Sequence, residues 1–255
     1  MSDLATWMAS ADDTAMVRRA KYIPPRNTGA TMLSEALRGT GRFPENKQMD
    51  FVGAGKDRSD LRLYYAGDIA LLQRPSVAIV GTRNVSQAGK NATDWLTKRL
   101  VEAGLVIVSG LAYGVDTVAH TAAIEHGGKT IAVIGTPLDK ATPSENAALQ
   151  ERIYQEHLLI SRFAKGEKTL RMSFPLRNRL MAALSDATVV MEASDTSGTL
   201  HQAAECTRLG RWLFIAKSVT DDPALTWPKK FLKYETCMRF DRVSQITERI
   251  LKSSR

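Results

Sequence analysis

Several short segments carry residues suited to holding an anion. Gly81-Thr82-Arg83-Asn84 follows the apolar run Val77–Val80, and Ser109-Gly110-Leu-Ala-Tyr113-Gly114 follows Val106–Val108. Gly135-Thr136-Pro137 follows Ile131–Ile134, and Glu192-Ala-Ser194-Asp195-Thr196-Ser197-Gly198-Thr199 follows Val189–Met191. Glycine lets backbone N–H groups approach a phosphate, small hydroxyls add donors, and a helix N-terminus adds partial positive charge. One such turn is an ordinary connection, whereas four on the same edge of one sheet describe an anion site. Arg83, just past a strand-end glycine, is placed to bind phosphate with its guanidinium.

A second constellation is basic. Residues 162–179 hold Arg162, Lys165, Lys168, Arg171, Arg177 and Arg179 against the single acid Glu167, with Phe174 and Asn178 among them. An aromatic inside a cationic stretch suits a single strand: the cations track phosphates and the ring stacks on an unpaired base. The other reading, a solvated basic loop with Phe174 tucked into the core, stays open at this point. Asn178 suits a base edge or a turn backbone.

The remaining candidates are structural. Asp116 and His120 share a helix face, Asp116 offsetting the dipole at the helix start and His120 packing locally. Glu192 is expected to pair with an arginine of the basic run, and Trp7, Trp95, Trp212 and Trp227 are expected in the core. Cys206 and Cys237 lack the spacing of a zinc site, so no metal is expected. There is no G-x-G-x-x-G, so no dinucleotide cofactor is indicated.

The elements that must position these residues are legible as a pattern. The runs Val77–Val80, Val106–Val108, Ile131–Ile134, Val189–Met191 and Trp212–Ile215 read as strands buried on both faces of a parallel sheet. Helical patterns lie between them at 92–103, 115–126, 145–157 and 199–209, with an amphipathic segment at 243–251. Strand alternating with helix predicts a Rossmann-like, doubly wound, mostly parallel α/β sheet with helices on both faces, whose ligands bind beyond the carboxyl ends of the strands. Residues 1–74 read as a small helical or irregular lead-in. It has candidate helices at 3–22 and 31–38 and breakers such as Pro24-Pro25, Gly39, Gly41 and Pro44. The core domain is expected over 75–255.

Bulk properties agree with this class. The chain has 255 residues, 44% apolar and 24% charged, enough to bury a core without disulfides or metals. A net charge of +8 favours an acidic partner, nucleic acid before a membrane surface. Residues 1–7 have no basic and apolar leader pattern and no run is long enough to span a bilayer, which predicts a cytoplasmic protein.

Taken together, the segments resemble the DprA/Smf family. The matching stretches are Val77–Arg83, Val108–Asp116 with Ala119-His120, Gly127–Gly135, Leu138-Asp139, Pro143, Asn146, Phe174–Arg179, Leu184-Ser185, Glu192-Ala193, Ser197–Leu200 and Gly210-Arg211. Order and spacing hold over roughly 63–215. The resemblance implies an extended Rossmann fold, single-stranded DNA bound in a basic pocket, and a homodimer that hands the strand to the recombinase RecA in natural transformation. Carried over by position, the strand-binding residues are Gly81, Thr82, Arg83, Ser109, Gly110, Arg171, Phe174, Arg177, Asn178 and Arg179, with Ser197, Gly198 and Thr199 at the border.

Some positions depart from the family. Tyr113 stands where arginine is common, and Thr136-Pro137, Thr142-Pro143 and Ala216-Lys217-Ser218 replace usual forms. With no winged-helix segment before Arg255, a divergent member is expected, in transformation, in defence or on a mobile element. The rival class is a related nucleotide-binding sensor or nucleoside-monophosphate phosphoribohydrolase. The hydrolase signature P-G-G-x-G-T-x-x-E has no match at Ser194–Gln202, and Glu205 comes too late to serve as general acid or base, so no catalytic residue is expected.

Overall fold

The computed structural model describes residues 21–44 and 60–253. Among the described residues one sheet is built from nine strands: β1 (Gly29–Met32), β2 (Arg62–Gly67), β3 (Ser76–Val80), β4 (Val106–Ser109), β5 (Thr130–Ile134), β6 (Leu158–Ser161), β7 (Ala187–Val190), β8 (Trp212–Ala216) and β9 (Cys237–Phe240). Their order is β1-β2-β6-β5-β4-β3-β7-β8-β9. From β6 to β9 every pairing is parallel, while β2 pairs antiparallel with both β6 and β1. All residues of β3 and β5 are buried, so both faces of the sheet are covered, which is why unbroken apolar runs mark these strands.

The principal helices are α2 (Gln87–Glu102), α3 (Val115–Glu125), α4 (Ala147–Glu156), α5 (Ser173–Leu184), α6 (Thr199–Arg208) and α9 (Ser244–Ser253). The shorter ones are α1 (Leu33–Ala36), α7 (Lys217–Thr220) and α8 (Trp227–Phe231). From β3 the chain runs outward through β4, β5 and β6. It then returns over α5 to lay β7 on the other side of β3. This reversal opens a crevice at the carboxyl ends of β3, β4 and β7, the place where open α/β sheets bind ligands.

Several expectations need correction. The helix expected over 31–38 is split, with β1 running to Met32 and only one turn of helix after it, because Leu33, Ala36 and Leu37 turn into the core. The segment read as a lead-in thus contributes two strands to the sheet, while most of the helix expected at 3–22, with Trp7, lies outside the described residues. Trp95 is 51% exposed, since Thr93, Leu96, Thr97 and Leu100 occupy the inward face of α2. Trp227 is buried with its indole donating to the Ala193 carbonyl at 3.1 Å. Trp212 is half-buried, stacked on Phe214 and covered by Arg249. Among the described residues no helix is long and apolar enough to cross a membrane.

His120 packs locally, as expected, but against a polar group. Its Nδ1 lies 2.7 Å from Thr130 Oγ1, whose own proton goes to the Ile107 carbonyl. The buried Nε2 makes no hydrogen bond among the described residues. Burial pulls this imidazole down to about 3. The unfolded chain binds a proton here near pH 6.5 and the folded chain does not. Stability is then full above pH 6.5 and declines as pH falls from there, by up to about 1.4 kcal/mol per pH unit. His157, also lowered by burial, adds to the slope. Urea unfolding between pH 7 and 5.5 should show this decline, and His120→Gln should flatten it. An unchanged slope in the variant would rule out His120 as its source.

Candidate nucleic-acid interface

The crevice is assembled by interlocked turns. Gly81 continues β3 where a Cβ would stand 2.5 Å from Val115 Cγ2 and 2.8 Å from the Glu192 carbonyl oxygen, so only glycine fits. Next, the Thr82 N–H donates to the Glu192 carbonyl at 2.6 Å, and the Val115 N–H donates to the Thr82 carbonyl at 3.2 Å. Gly114 takes φ +75°, a conformation that favours glycine, and lets the turn after β4 close on Thr82. The turn after β7 is tied twice more. Thr199 Oγ1 donates to the Gly81 carbonyl at 3.0 Å, and Asp195 Oδ1 accepts the Trp227 N–H at 2.9 Å. Glu192 does not pair with the basic run as expected. Its carboxylate accepts the Ser86 hydroxyl at 2.9 Å and fixes the residue that caps α2.

The basic run contains a helix, and this decides which of its residues face the crevice. Pro175 is tolerated because it sits in the first turn of α5, where its missing N–H has no helical partner to lose. On a helix, positions three and four apart share a side. Phe174, Arg177 and Asn178 accordingly line a cavity of about 370 Å3 together with Gly81, Thr82, Arg83, Ser197, Gly198 and Thr199. A second cavity of about 130 Å3 adjoins it and is lined by Gly110, Tyr113, Gly135, Thr142 and Pro143. Both cavities share Arg83, Ala112, Phe174 and Arg177.

Three expected site residues lie elsewhere. The Ser109 hydroxyl is buried and donates to the Ile79 carbonyl at 2.7 Å, which turns it into the sheet. Arg179 lies on another side of α5, 3.6 Å from the buried carboxylate of Glu205, which Arg208 also holds. Arg171 precedes α5, is exposed and lines neither cavity. Of the six cations in residues 162–179, only Arg177 faces the crevice, and Arg83 joins it from the turn after β3.

Those two arginines differ in kind. Arg83 is exposed, makes no ion pair among the described residues, and sits with its Cζ 6.0 Å from the centroid of the half-buried Phe174 ring. Arg177 is only 5% exposed, lies 3.8 Å from Asp116 Oδ2 and donates to the Val133 carbonyl at 3.3 Å. Its guanidinium rests so close on Gly110 that any Cβ there would overlap it. Burial lowers the Arg177 pKa against the opposing pull of Asp116, and burial raises that of Asp116 against the pull of Arg177 and the Ala112 N–H. The Arg177 Nε has no hydrogen-bond partner among the described residues. Asp116 is thus more than a helix-start charge. It is the counter-ion of a buried arginine that borders the cavity, a pairing across distant sequence positions that no local signal reveals. Tyr113, Thr142, Pro143, Ser194 and His201 also line these cavities and were not among the expected site residues.

The family model described as DNA recombination-mediator protein A matches residues 42–250. DNA processing protein DprA of Streptococcus pneumoniae is 45% identical over 160 residues, which cover 62% of this chain and 56% of that protein. DprA of Bacillus subtilis is 36% identical over 172 residues, covering 67% and 58%. The chain therefore spans a little over half the length of these curated relatives. Among solved structures, DprA from S. pneumoniae superposes with a TM-score of 0.70 at 33% identity, covering 90% of this chain and 75% of that one. DprA from Helicobacter pylori, described by its single-stranded DNA binding mode, superposes with a TM-score of 0.67 at 31% identity, covering 76% and 88%. A match over most of the chain, joined to the sheet order and the crevice above, makes this protein a member of the DNA recombination-mediator protein A family, the DprA/Smf proteins.

Proposed function

We propose that the chain binds single-stranded DNA in the crevice at the carboxyl ends of β3, β4 and β7. The observation that carries this reading is the Phe174 ring, half-exposed at the mouth of a cavity with the exposed Arg83 guanidinium beside it. A ring offers a stacking face to an unpaired base, and a duplex cannot present that face. Arg83 neutralises a phosphate, and the turns around Gly81 and Gly198 supply small residues and close backbone approach. The relatives' role in DNA processing supports the same reading. A homodimer joining two such sites, and delivery of the strand to a RecA-type recombinase in the cytoplasm, belong to this proposal through the family likeness. A hydrolytic role is less favoured, because Glu205 faces Arg179 and Arg208 and the carboxylate at the cavity, Asp116, is committed to Arg177.

The test is a fluorescence titration of labelled single-stranded and double-stranded oligonucleotides at defined salt. Single strands should bind more tightly, with slight sequence preference. Phe174→Ala should weaken single-strand binding by about 1–3 kcal/mol. Arg83→Ala should weaken it and reduce the slope of log affinity against log salt by about 0.7, the value for one phosphate that is no longer neutralised. Equal affinity for both forms of DNA, or two variants that bind like wild type, would reject the site.

A further inference from the structure

The two cavities adjoin, and the partition read between them is the Arg83 guanidinium carbon 6.0 Å from the Phe174 ring centroid. Arg83 and Phe174 stand in both linings, and Arg177 lies beneath them, its Nε without a hydrogen-bond partner among the described residues. The larger side, about 370 Å3, offers Thr82, Asn178 and Ser197 as hydrogen-bonding groups. The smaller, about 130 Å3, is walled by Tyr113, Gly135, Thr142 and Pro143, a less polar set. Gly135 gives the partition its position, since a Cβ there would come within 2.8 Å of the Phe174 ring.

We propose that this is a two-compartment site that parts two consecutive nucleotides of a strand. The proposal rests on the single-strand reading above and adds to it how many nucleotides one site engages and where each lies. Two stacked bases need one continuous slot, because neighbours in a stack are only about 3.4 Å apart. Two hollows with a common aromatic wall instead hold two bases that have been separated. Size assigns them. Pockets for small organic ligands run to about 300–1,000 Å3, so the larger compartment suits a nucleoside with its phosphate. The smaller falls below that range and suits a base alone. The linking phosphate then crosses at Arg83, the exposed cation common to both sides. Arg177 supplies fixed positive charge beneath the crossing, partly offset by Asp116.

The experiment compares thymidine 5′-monophosphate, the dinucleotide pTpT and the trinucleotide pTpTpT as competitors of a labelled single-stranded oligonucleotide on the full chain. The affinity gain from one to two nucleotides should be about tenfold or more, the worth of one added stacked base, and larger than the gain from two to three. Thr142→Trp fills the smaller compartment from an exposed position, and should shrink the advantage of pTpT over the monophosphate to less than about twofold. The length series in wild type stands even if that variant misfolds. No gain at the second nucleotide, with the oligonucleotide still bound, overturns the two-compartment site and leaves the single-strand reading intact. The same holds if the pTpT advantage persists in a folded Thr142→Trp. Failure of wild type to bind the oligonucleotide overturns both.

Discussion

Arg177→Met should lower the unfolding free energy by about 3–5 kcal/mol and weaken single-strand binding in the same protein. The first effect follows from what the arginine leaves behind. Asp116 is buried, and it pairs with Arg177 at 3.8 Å. Removing one partner of a buried pair strands the other charge in a poor solvent, which costs more than the pair itself contributes. Methionine keeps much of the length and apolar stem, so packing loss is small. Urea unfolding measures the change, and the double variant Arg177→Met with Asp116→Asn isolates its cause. Neutralising the stranded carboxylate should restore part of the loss, so the two substitutions should be far from additive. The second effect follows from the cavity, where a charged donor is worth about 1.5–3 kcal/mol when it meets an acceptor. If Arg177→Met cost under about 1 kcal/mol and added independently to Asp116→Asn, the pair would be incidental to stability.

This buried pair also marks the limit of what residue order reveals. Strands covered on both faces are unbroken apolar runs, so β3, β4, β5, β7 and β8 are legible, and the residues at their carboxyl ends point to the crevice. β6 is hidden because Leu158–Ser161 follows α4 with no glycine or proline between. β1, β2 and β9 lie at or near the sheet edges, where short strands with mixed exposure carry little pattern. The costliest omission is α5. Pro175 and clustered cations make Arg171–Arg179 read as a loop in which every arginine is equally available. The helix turns Arg177 toward Asp116 and Arg179 toward Glu205, and leaves Arg171 outside. At helical spacing from Ser173 onward, Phe174, Arg177 and Asn178 share one side. Nothing local could have shown that Ser109 spends its hydroxyl on Ile79, because that partner belongs to the neighbouring strand.

The other large effect is expected far from the crevice, at Arg42, where the family match begins. This guanidinium is 2% exposed in the described residues. It donates to Ser76 Oγ at 2.8 Å and to the carbonyls of Leu72, Leu184 and Arg74, and its Nε lies 3.6 Å from Asp186. Asp186 in turn accepts the Ser76 N–H at 2.8 Å, at the start of β3. One side chain from the N-terminal segment thus satisfies acceptors at the entry to β3 and at the end of α5. Arg42→Met should cost about 3–5 kcal/mol in urea unfolding, because several buried acceptors and a carboxylate lose their donor together. Arg42→Lys should recover only part of this, since one ammonium cannot reproduce a planar fork with five N–H groups. Single-strand affinity, measured where each variant is still folded, should stay near wild type, because Arg42 bonds at the amino-terminal end of β3 and the crevice opens at the carboxyl end. Arg177→Met loses both stability and binding, so comparing the two variants separates a defect in the scaffold from a defect in the site. Arg42→Met reducing affinity as much as Arg177→Met would mean that strand binding depends on the fold's general stability and not on the charge at the crevice.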